Sequence, residues 1–230
     1  MDGLARDKEV MLARHLRARG IDDERVLAAM AAVPREEFVA EHARQYAYAD
    51  RPLPIEEGQT ISQPYIVAFM AQSAQVEQGD RVLEIGAGSG YGAAVLGRLA
   101  ARVDTVERHS RLAEQAAERM SRLGYNNVHV HSADGTWGLP EGAPFDAIVV
   151  TAAGPSVPPP LLEQLAPGGR LVMPVEGSYG HQQLLLVRKD VDGRVTETPL
   201  LGVAFVPLVG EHGHPGGGIE TDQQNRQHIY

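Results

Sequence analysis

The sequence contains no cysteine among its 230 residues. This absence excludes a disulfide scaffold, a thiolate nucleophile, and zinc or iron–sulfur sites with cysteine ligands. It also fits a cytosolic protein, and we expect a cytoplasmic location. Residues Met1 to Arg19 carry charges every few positions and no apolar core, so we expect no secretory signal.

Positive charge and long apolar runs are also scarce. Lysine and arginine number 21 against 30 aspartate and glutamate residues, which gives a formal net charge of −9. This balance disfavours a general attraction to duplex nucleic acid or to an anionic membrane surface. The longest strongly apolar stretch, 147–153, is far too short to cross a bilayer. We therefore expect a soluble globular protein without a nucleic-acid or membrane partner.

Short β-rich runs alternate with helix-length segments from Arg81 onwards. Strands are predicted at 81–85, 102–107, 128–131, 145–150 and 170–174, and helices at 91–100, 111–123 and 160–165. Such alternation predicts an α/β fold, with right-handed βαβ units and a mostly parallel sheet covered by helices on both faces. Asp192-Gly193 separates the β-rich runs 183–187 and 194–200, which predicts a two-residue hairpin and an antiparallel C-terminal edge.

The regions before and after this alternation have a different character. The first residues, up to about 60, are predicted to form an N-terminal helical segment, in which Asp22 is a good N-cap for a helix that Pro34 ends. After Gly210 the chain loses its apolar pattern and becomes rich in glycine, glutamine and histidine. We therefore predict one domain, 1–210, followed by a flexible C-terminal tail, 211–230.

The most specific local motif is a glycine-rich turn after the strand at 81–85. Gly86, Gly88 and Gly90 follow Glu84 in the segment EIGAGSG. Glycine lets the backbone turn tightly and lets a ligand approach without a Cβ atom in the way. The third glycine falls one residue earlier than in the dinucleotide fingerprint, which disfavours a nicotinamide dehydrogenase. A generic glycine turn with solvated acids stays open if only these glycines are considered.

Acidic residues lie at or just after the ends of three successive predicted strands. They are Glu84, Glu107 and Asp134, the last of which precedes Gly135. The carboxyl ends of parallel strands face the ligand crevice of an open sheet, where a carboxylate can accept hydrogen bonds from a ribose diol. Asp134-Gly135 in isolation is an ordinary turn. Together the three carboxylates indicate a pocket for an adenosine-bearing cation, of which S-adenosyl-L-methionine is the obvious member.

A second candidate segment, Thr60-Ile61-Ser62-Gln63-Pro64, precedes a helix predicted at 65–75. Ser62 is a natural N-cap for a helix with proline in its first turn, which is a purely structural interpretation. A hydroxyl and free amides at a helix N-terminus can also orient a carboxylate. The segment itself leaves both interpretations open. The histidines lack further ligands at metal-binding spacing, so no metal site is predicted.

Several segments closely resemble the protein-L-isoaspartate O-methyltransferase family. They are 58–70 (GQTISQPYIVAFM), 81–91 (RVLEIGAGSGY), 143–153 (APFDAIVVTAA), 167–175 (PGGRLVMPV), 32–39 (AVPREEFV) and 205–208 (FVPL). The T-I-S-x-P segment together with V-P-R-E-x-F is more specific to this family than the glycine loop. The resemblance implies a Rossmann-like, S-adenosylmethionine-dependent methyltransferase fold.

The resemblance also implies an activity and a set of site residues. The enzyme would transfer the methyl group of S-adenosyl-L-methionine to the α-carboxylate of L-isoaspartyl residues in damaged proteins and peptides, which begins their repair. Ser62 would be the catalytic residue. The cofactor-binding residues that the resemblance implies are Thr60, Ile61, Glu84, Gly86, Gly88, Gly90, Glu107, Asp134 and Gly135. The partners would be isoaspartyl-containing proteins and peptides, and we expect a monomer.

Two other functions would keep the same cofactor site. A related carboxyl methyltransferase would act on an aspartate of a specific biosynthetic peptide, and the sequence does not separate it from a repair enzyme. A non-catalytic S-adenosylmethionine-binding module would bind the cofactor without transferring its methyl group. The intact Ser62 disfavours this last interpretation.

Overall fold

A computed structural model describes residues 3–177 and 180–215. Its α-helices are α1 (Gly3–Val10), α2 (Glu24–Ala32), α3 (Pro64–Ser73), α4 (Tyr91–Gly97), α5 (Ser110–Leu123) and α6 (Pro159–Gln164). Its strands are β1 (Leu53–Pro54), β2 (Thr60–Ile61), β3 (Arg81–Ile85), β4 (Arg102–Glu107), β5 (Val128–Ser132), β6 (Phe145–Val150), β7 (Leu165–Glu176), β8 (Gln182–Lys189) and β9 (Val195–Val203). Shorter π- and 3₁₀-helical turns at 11–19, 35–38 and 41–46 continue the helical character of the N-terminal segment.

One seven-stranded sheet organises the chain, in the order β5-β4-β3-β6-β7-β8-β9. Strands β3 to β7 pair in parallel, whereas β8 pairs antiparallel with both β7 and β9. The predicted Rossmann-like α/β fold with an antiparallel C-terminal edge is thereby confirmed. The strand order reverses direction between β3 and β6, and ligands of open α/β sheets bind at the carboxyl ends of strands beside such a reversal.

Apolar side chains cover both faces of the sheet. Val82 and Leu83 are neighbours on β3 and both are fully buried, but they belong to different core clusters. Successive side chains of a strand point to opposite faces, so a strand that is covered on both sides is apolar along its length. Helix α5 contributes one apolar stripe to this cover, because its buried residues Leu112, Ala116 and Met120 are spaced about one turn apart.

Two local predictions are wrong. Asp23 caps α2 in place of Asp22, because the Asp23 carboxylate accepts a hydrogen bond from the backbone N–H of Arg25. The connection between β8 and β9 is the longer turn 190–194, in which the Asp190 carboxylate accepts from the N–H groups of Asp192 and Arg194. A side chain that satisfies backbone groups inside the turn makes this longer connection possible.

Two further predictions concern segments beyond the sheet. Among the described residues, no helix has both the length and the apolar character that crossing a membrane requires. Most of the predicted tail, residues 216–230, lies outside the described residues. Its first residues, 211–215, are described and contact the turn that follows β5.

Candidate active site

A cavity of about 1630 Å³ opens at the carboxyl ends of β3, β4 and β6. Its lining comes from the segment before α3, the glycine loop after β3, the end of β4 and the segment that follows β9. Thr60, Ser62, Gly86 and Glu107 are among the lining residues. Residues that were predicted from separate motifs therefore line one continuous space.

The glycine loop brings bare backbone to this cavity. Gly86 has a φ of 96° and Gly88 a φ of 51°, both in the left-handed region that favours glycine. A Cβ atom on Gly86 would lie 2.3 Å from Oγ1 of Thr151, the residue that follows β6. The Thr151 hydroxyl donates a hydrogen bond to the Gly86 carbonyl over 2.8 Å. Thr151, to which the sequence analysis gave no role, therefore fixes the loop from the neighbouring strand.

Glu107 is the last residue of β4 and is almost completely buried. One of its carboxylate oxygens accepts from the N–H of Gly88 over 2.9 Å, and the other accepts from the N–H of His109 over 3.0 Å. These two bonds hold the carboxylate at the cavity wall and leave it further lone pairs for a ligand. A carboxylate in this position suits the two hydroxyl groups of a ribose.

Glu84 is more deeply buried and has no cationic partner among the residues described. Its carboxylate accepts one hydrogen bond, from the Thr105 hydroxyl over 2.6 Å. Its other oxygen would lie 2.3 Å from a Cβ atom on Gly92, so a larger residue at position 92 would have to displace the Glu84 carboxylate. Burial raises the pKa of Glu84 to about 8, and the charge of the nearby Glu107 acts in the same direction. Because Glu84 also lines the cavity, a cationic ligand would favour its ionised form.

Thr60, Ile61 and Ser62 form the side of the cavity that lies ahead of α3. Helix α3 starts at Pro64, and its N-cap is Gln63, whose side chain makes no capping hydrogen bond. The interpretation of Ser62 as an N-cap is therefore wrong. Within the described ranges the Ser62 hydroxyl has no hydrogen-bond partner, although its backbone carbonyl accepts from Arg35. The hydroxyl thus remains available to a ligand in the cavity.

Asp134 and Gly135 lie on the turn that follows β5. Gly135 lines the cavity, but the Asp134 carboxylate is turned to other partners. It accepts from the N–H and hydroxyl of Thr136 and from the N–H of Glu211 over 2.9 Å. Burial by itself would raise the pKa of Asp134, but these hydrogen bonds hold it below its usual value. An adenine contact by Asp134 therefore stays a prediction.

The segment that follows β9 covers the turn carrying Asp134. A Cβ atom on Gly210 would lie 2.1 Å from an Asp134 carboxylate oxygen, so the Gly210 backbone lies directly against the Asp134 side chain. The His212 ring packs edge-on against Trp137, with ring centroids 4.4 Å apart. The backbone N–H of His212 donates a hydrogen bond to the Thr136 hydroxyl. This contact joins positions about 75 residues apart in the chain and leaves no local pattern, so it was not predicted from the sequence.

Gly90 is the one predicted glycine that does not line the cavity. It adopts a left-handed conformation as the residue before α4. A Cβ atom there would lie 2.9 Å from the Met120 methyl group of α5. The observed contact of Gly90 is thus with a neighbouring helix, and its predicted role in cofactor binding stays a prediction.

The fold and the cavity together define an S-adenosylmethionine-dependent methyltransferase. A bare glycine loop, a buried carboxylate that has no cationic partner within residues 3–177 and 180–215, and a second carboxylate at the next strand end meet where the strand order of the parallel sheet reverses. These residues fit a cofactor that carries a cationic methionine end and a ribose.

Comparisons with known proteins identify the family. The sequence profile of protein-L-isoaspartate(D-aspartate) O-methyltransferase matches residues 6–213. A protein-L-isoaspartate O-methyltransferase 2 of Pelobacter propionicus is 55% identical over 206 residues, which are 90% of this chain and 92% of that protein. A protein-L-isoaspartate O-methyltransferase of Methanoculleus marisnigri is 53% identical over 94% of this chain and 97% of its own length.

Solved structures agree with this assignment. A protein-L-isoaspartate O-methyltransferase superimposes with a TM-score of 0.82 and 33% identity, over 90% of this chain and 67% of its own. A putative member from Plasmodium falciparum, in complex with S-adenosyl-L-homocysteine, gives a TM-score of 0.75 and 27% identity over 86% of this chain and 96% of its own. The chain belongs to the protein-L-isoaspartate(D-aspartate) O-methyltransferase family, and it is an enzyme that uses S-adenosyl-L-methionine.

Proposed function

We propose that the enzyme methylates the α-carboxylate of L-isoaspartyl residues in damaged proteins and peptides in this cavity. Ser62 would bind the acceptor carboxylate, and the glycine loop would bind the cofactor. One observation carries the proposal. The same cavity is lined by the hydroxyl-bearing segment Thr60–Ser62 and by the loop and carboxylates that fit S-adenosyl-L-methionine. An acceptor held by Ser62 would therefore lie in the same cavity as a donor held by the glycine loop and the two carboxylates.

Four residues in the cofactor-binding half of the cavity would each contact a different part of the cofactor or make room for it. Glu84 would face the cationic methionine end, and Glu107, held by its two backbone N–H bonds, would accept from the ribose hydroxyls. Gly86 and Gly88 would let the ligand lie against the backbone. When bound, the cofactor supplies a methyl group on a sulfonium centre, which is already a good leaving group.

The acceptor half of the cavity would only have to position its substrate. The acceptor carboxylate has a pKa of about 4 and is already ionised at neutral pH. No general base is needed to activate it, so positioning dominates the chemistry. Ser62 would donate a hydrogen bond to one carboxylate oxygen and leave the other free to accept the methyl group. We infer no covalent intermediate on Ser62. The transfer would release S-adenosyl-L-homocysteine and leave a methyl ester on the substrate. Without the enzyme, the backbone nitrogen of the following residue would then attack the ester carbonyl and expel methanol, which gives a succinimide. Hydrolysis of the succinimide returns a fraction of the molecules to normal aspartate.

The partners, the location and the oligomeric state of the protein belong to this proposal as well. The partners would be isoaspartyl-containing proteins and peptides, with no nucleic acid or membrane among them. The net charge of −9 supports the exclusion of nucleic acid, and the absence of cysteine is compatible with a cytoplasmic location. A monomeric state stays a prediction of the sequence analysis.

Ser62→Ala tests the acceptor role. We expect kcat/KM for an isoaspartyl peptide to fall by about 10- to 100-fold, since a hydrogen bond to a charged group contributes about 1.5–3 kcal/mol. The dissociation constant of the cofactor should stay within about twofold, because the hydroxyl binds the other substrate. Ser73→Ala, at the far end of α3 and outside the cavity lining, is the matched control. Unchanged kcat and KM in Ser62→Ala would show that the acceptor role is wrong.

A further inference from the structure

Arg35 is a fully buried arginine that contacts residues 60–63, the segment that contains Ser62 and that we call the acceptor segment. It lies in the 3₁₀-helical turn Arg35–Phe38, and none of its surface is exposed. Its Nε donates to the carbonyl of Ala47 over 2.7 Å, and its Nη2 donates to the carbonyl of Ser62 over 2.8 Å. One guanidinium therefore joins two chain segments by their backbone.

The same guanidinium also lies against the start of α4. Its central carbon is 4.6 Å from the centroid of the Tyr91 ring, and Tyr91 directly follows the glycine loop and lines the cavity. The guanidinium of arginine is planar, so it can stack on an aromatic ring and still present several hydrogen-bond donors in one plane. The ammonium group of lysine can lie over a ring but has no such planar set of donors. Arg35 thus connects the acceptor segment to the helix that starts at the cofactor loop.

A contact between Asp50 and Gln63 also fixes the acceptor segment, independently of Arg35. The Gln63 side-chain amide donates to the carbonyl of Asp50 over 3.0 Å, and the Asp50 carboxylate pairs with Arg19. The other Asp50 carboxylate oxygen and Nη1 of Arg35 are both buried without a hydrogen-bond partner in the part of the chain that the structure describes. Burial lowers the pKa of Arg35, and the charge of Asp50 opposes that change.

A buried arginine with an unused donor is costly for stability, and apolar packing of similar volume is often no worse. Its presence is explained if the two carbonyls must be held at fixed positions. We propose that Arg35 is a positioning residue that fixes the backbone at Ser62, and through it the Ser62 hydroxyl, relative to the acceptor carboxylate. This inference rests on the proposed role of Ser62.

The test compares Arg35→Lys with Arg170→Lys. Arg170 also donates to backbone carbonyls, those of Ala74 and Asp146, but it does not line the cavity. Lysine keeps the charge at either site but cannot reproduce the fork of donors. For Arg35→Lys we expect kcat/KM to fall by about tenfold or more with the cofactor dissociation constant within about twofold, whereas Arg170→Lys keeps kcat/KM within about twofold at a similar loss of Tm.

A double-mutant cycle with Ser62→Ala separates positioning from a general loss of structure. If Arg35 acts through Ser62, Arg35→Lys lowers kcat/KM by less than about threefold in the Ser62→Ala background. Equal losses in both backgrounds, or an unchanged kcat/KM in Arg35→Lys alone, would overturn the inference. Wild-type activity of Ser62→Ala would instead reject the role of Ser62 on which it rests.

A milder variant keeps the inference testable if Arg35→Lys does not fold. Asp50→Asn removes the negative charge beside the guanidinium but keeps the backbone carbonyl that Gln63 contacts. We expect kcat/KM to fall by about threefold, again with cofactor affinity unchanged, and this loss should vanish in the Ser62→Ala background. Unchanged kcat/KM in Asp50→Asn, or the same loss with Ser62 absent, would contradict the positioning role.

Discussion

Replacing Glu107 with alanine is expected to weaken cofactor binding by about 100-fold or more. The carboxylate accepts two backbone hydrogen bonds, from Gly88 and His109, and it is the group that we expect to bind the ribose hydroxyls. Hydrogen bonds to a charged group contribute about 1.5–3 kcal/mol each, and about 1.4 kcal/mol corresponds to a tenfold change in affinity. Glu107→Ala removes both the contacts to the ribose and the hydrogen bond to the Gly88 N–H. The cofactor dissociation constant should therefore rise by more than about 100-fold.

Calorimetric titration with S-adenosyl-L-homocysteine measures this effect directly. Glu114→Ala is the control, because Glu114 is an exposed glutamate of the neighbouring helix α5. Glu107→Gln should lie between wild type and Glu107→Ala, since its amide keeps one acceptor oxygen but presents a donor to one of the two N–H groups. A Glu107→Ala protein that is folded and binds within about threefold of wild type would contradict the assignment of the ribose site.

Glu84→Gln is expected to change stability and cofactor binding in opposite directions. The folded protein buries this carboxyl with one hydrogen bond and no cationic partner among the described residues, which raises its pKa to about 8. A neutral amide avoids the cost of ionising that group, so the ligand-free variant should be more stable at pH 8.5 by an amount on the order of 4–5 kcal/mol. Its affinity for the cationic cofactor should fall by about 30-fold or more, because the opposite charge is lost.

The pH dependence gives this prediction a definite sign. Between the ordinary glutamate pKa of 4.5 and about 8, the folded state holds a proton that the unfolded state has released. The stabilising contribution of this group is therefore complete below pH 4.5 and is lost as the pH rises through 8. Thermal unfolding of ligand-free wild type should show this decline, whereas Glu84→Gln should show less of it. Equal pH profiles for the two proteins would contradict a buried, protonated Glu84.

Much of the fold was predictable because each central strand is a short buried run with a clear end. The observed bounds of β3, β4 and β6 agree with the predicted ones. Their ends also fix the cavity, so Glu84, Glu107 and the glycines Gly86 and Gly88 could be placed from their positions alone. The location of such residues can be predicted from the sequence, because it follows from the end of the strand and does not depend on contacts with distant parts of the chain.

Other parts of the site depend on contacts that leave no local pattern. Arg35 has the sequence context of a charged residue in the first turn of a helix, and its partners are backbone carbonyls 12 and 27 residues away. Asp134 reads as a free carboxylate at a strand end, but Glu211 approaches it from a distant part of the chain. Since any residue type can offer a backbone carbonyl or N–H, neither contact could be inferred from the sequence.

The most direct test of the central claim is a paired methylation assay with S-adenosyl-L-methionine labelled in its methyl group. Two peptides of identical sequence are compared, one with an isoaspartyl linkage and one with the normal aspartyl linkage at the same position. We expect label to enter the isoaspartyl peptide, to depend on Ser62, and to be absent from the aspartyl peptide. Equal labelling of both peptides, or of neither, would contradict a repair methyltransferase.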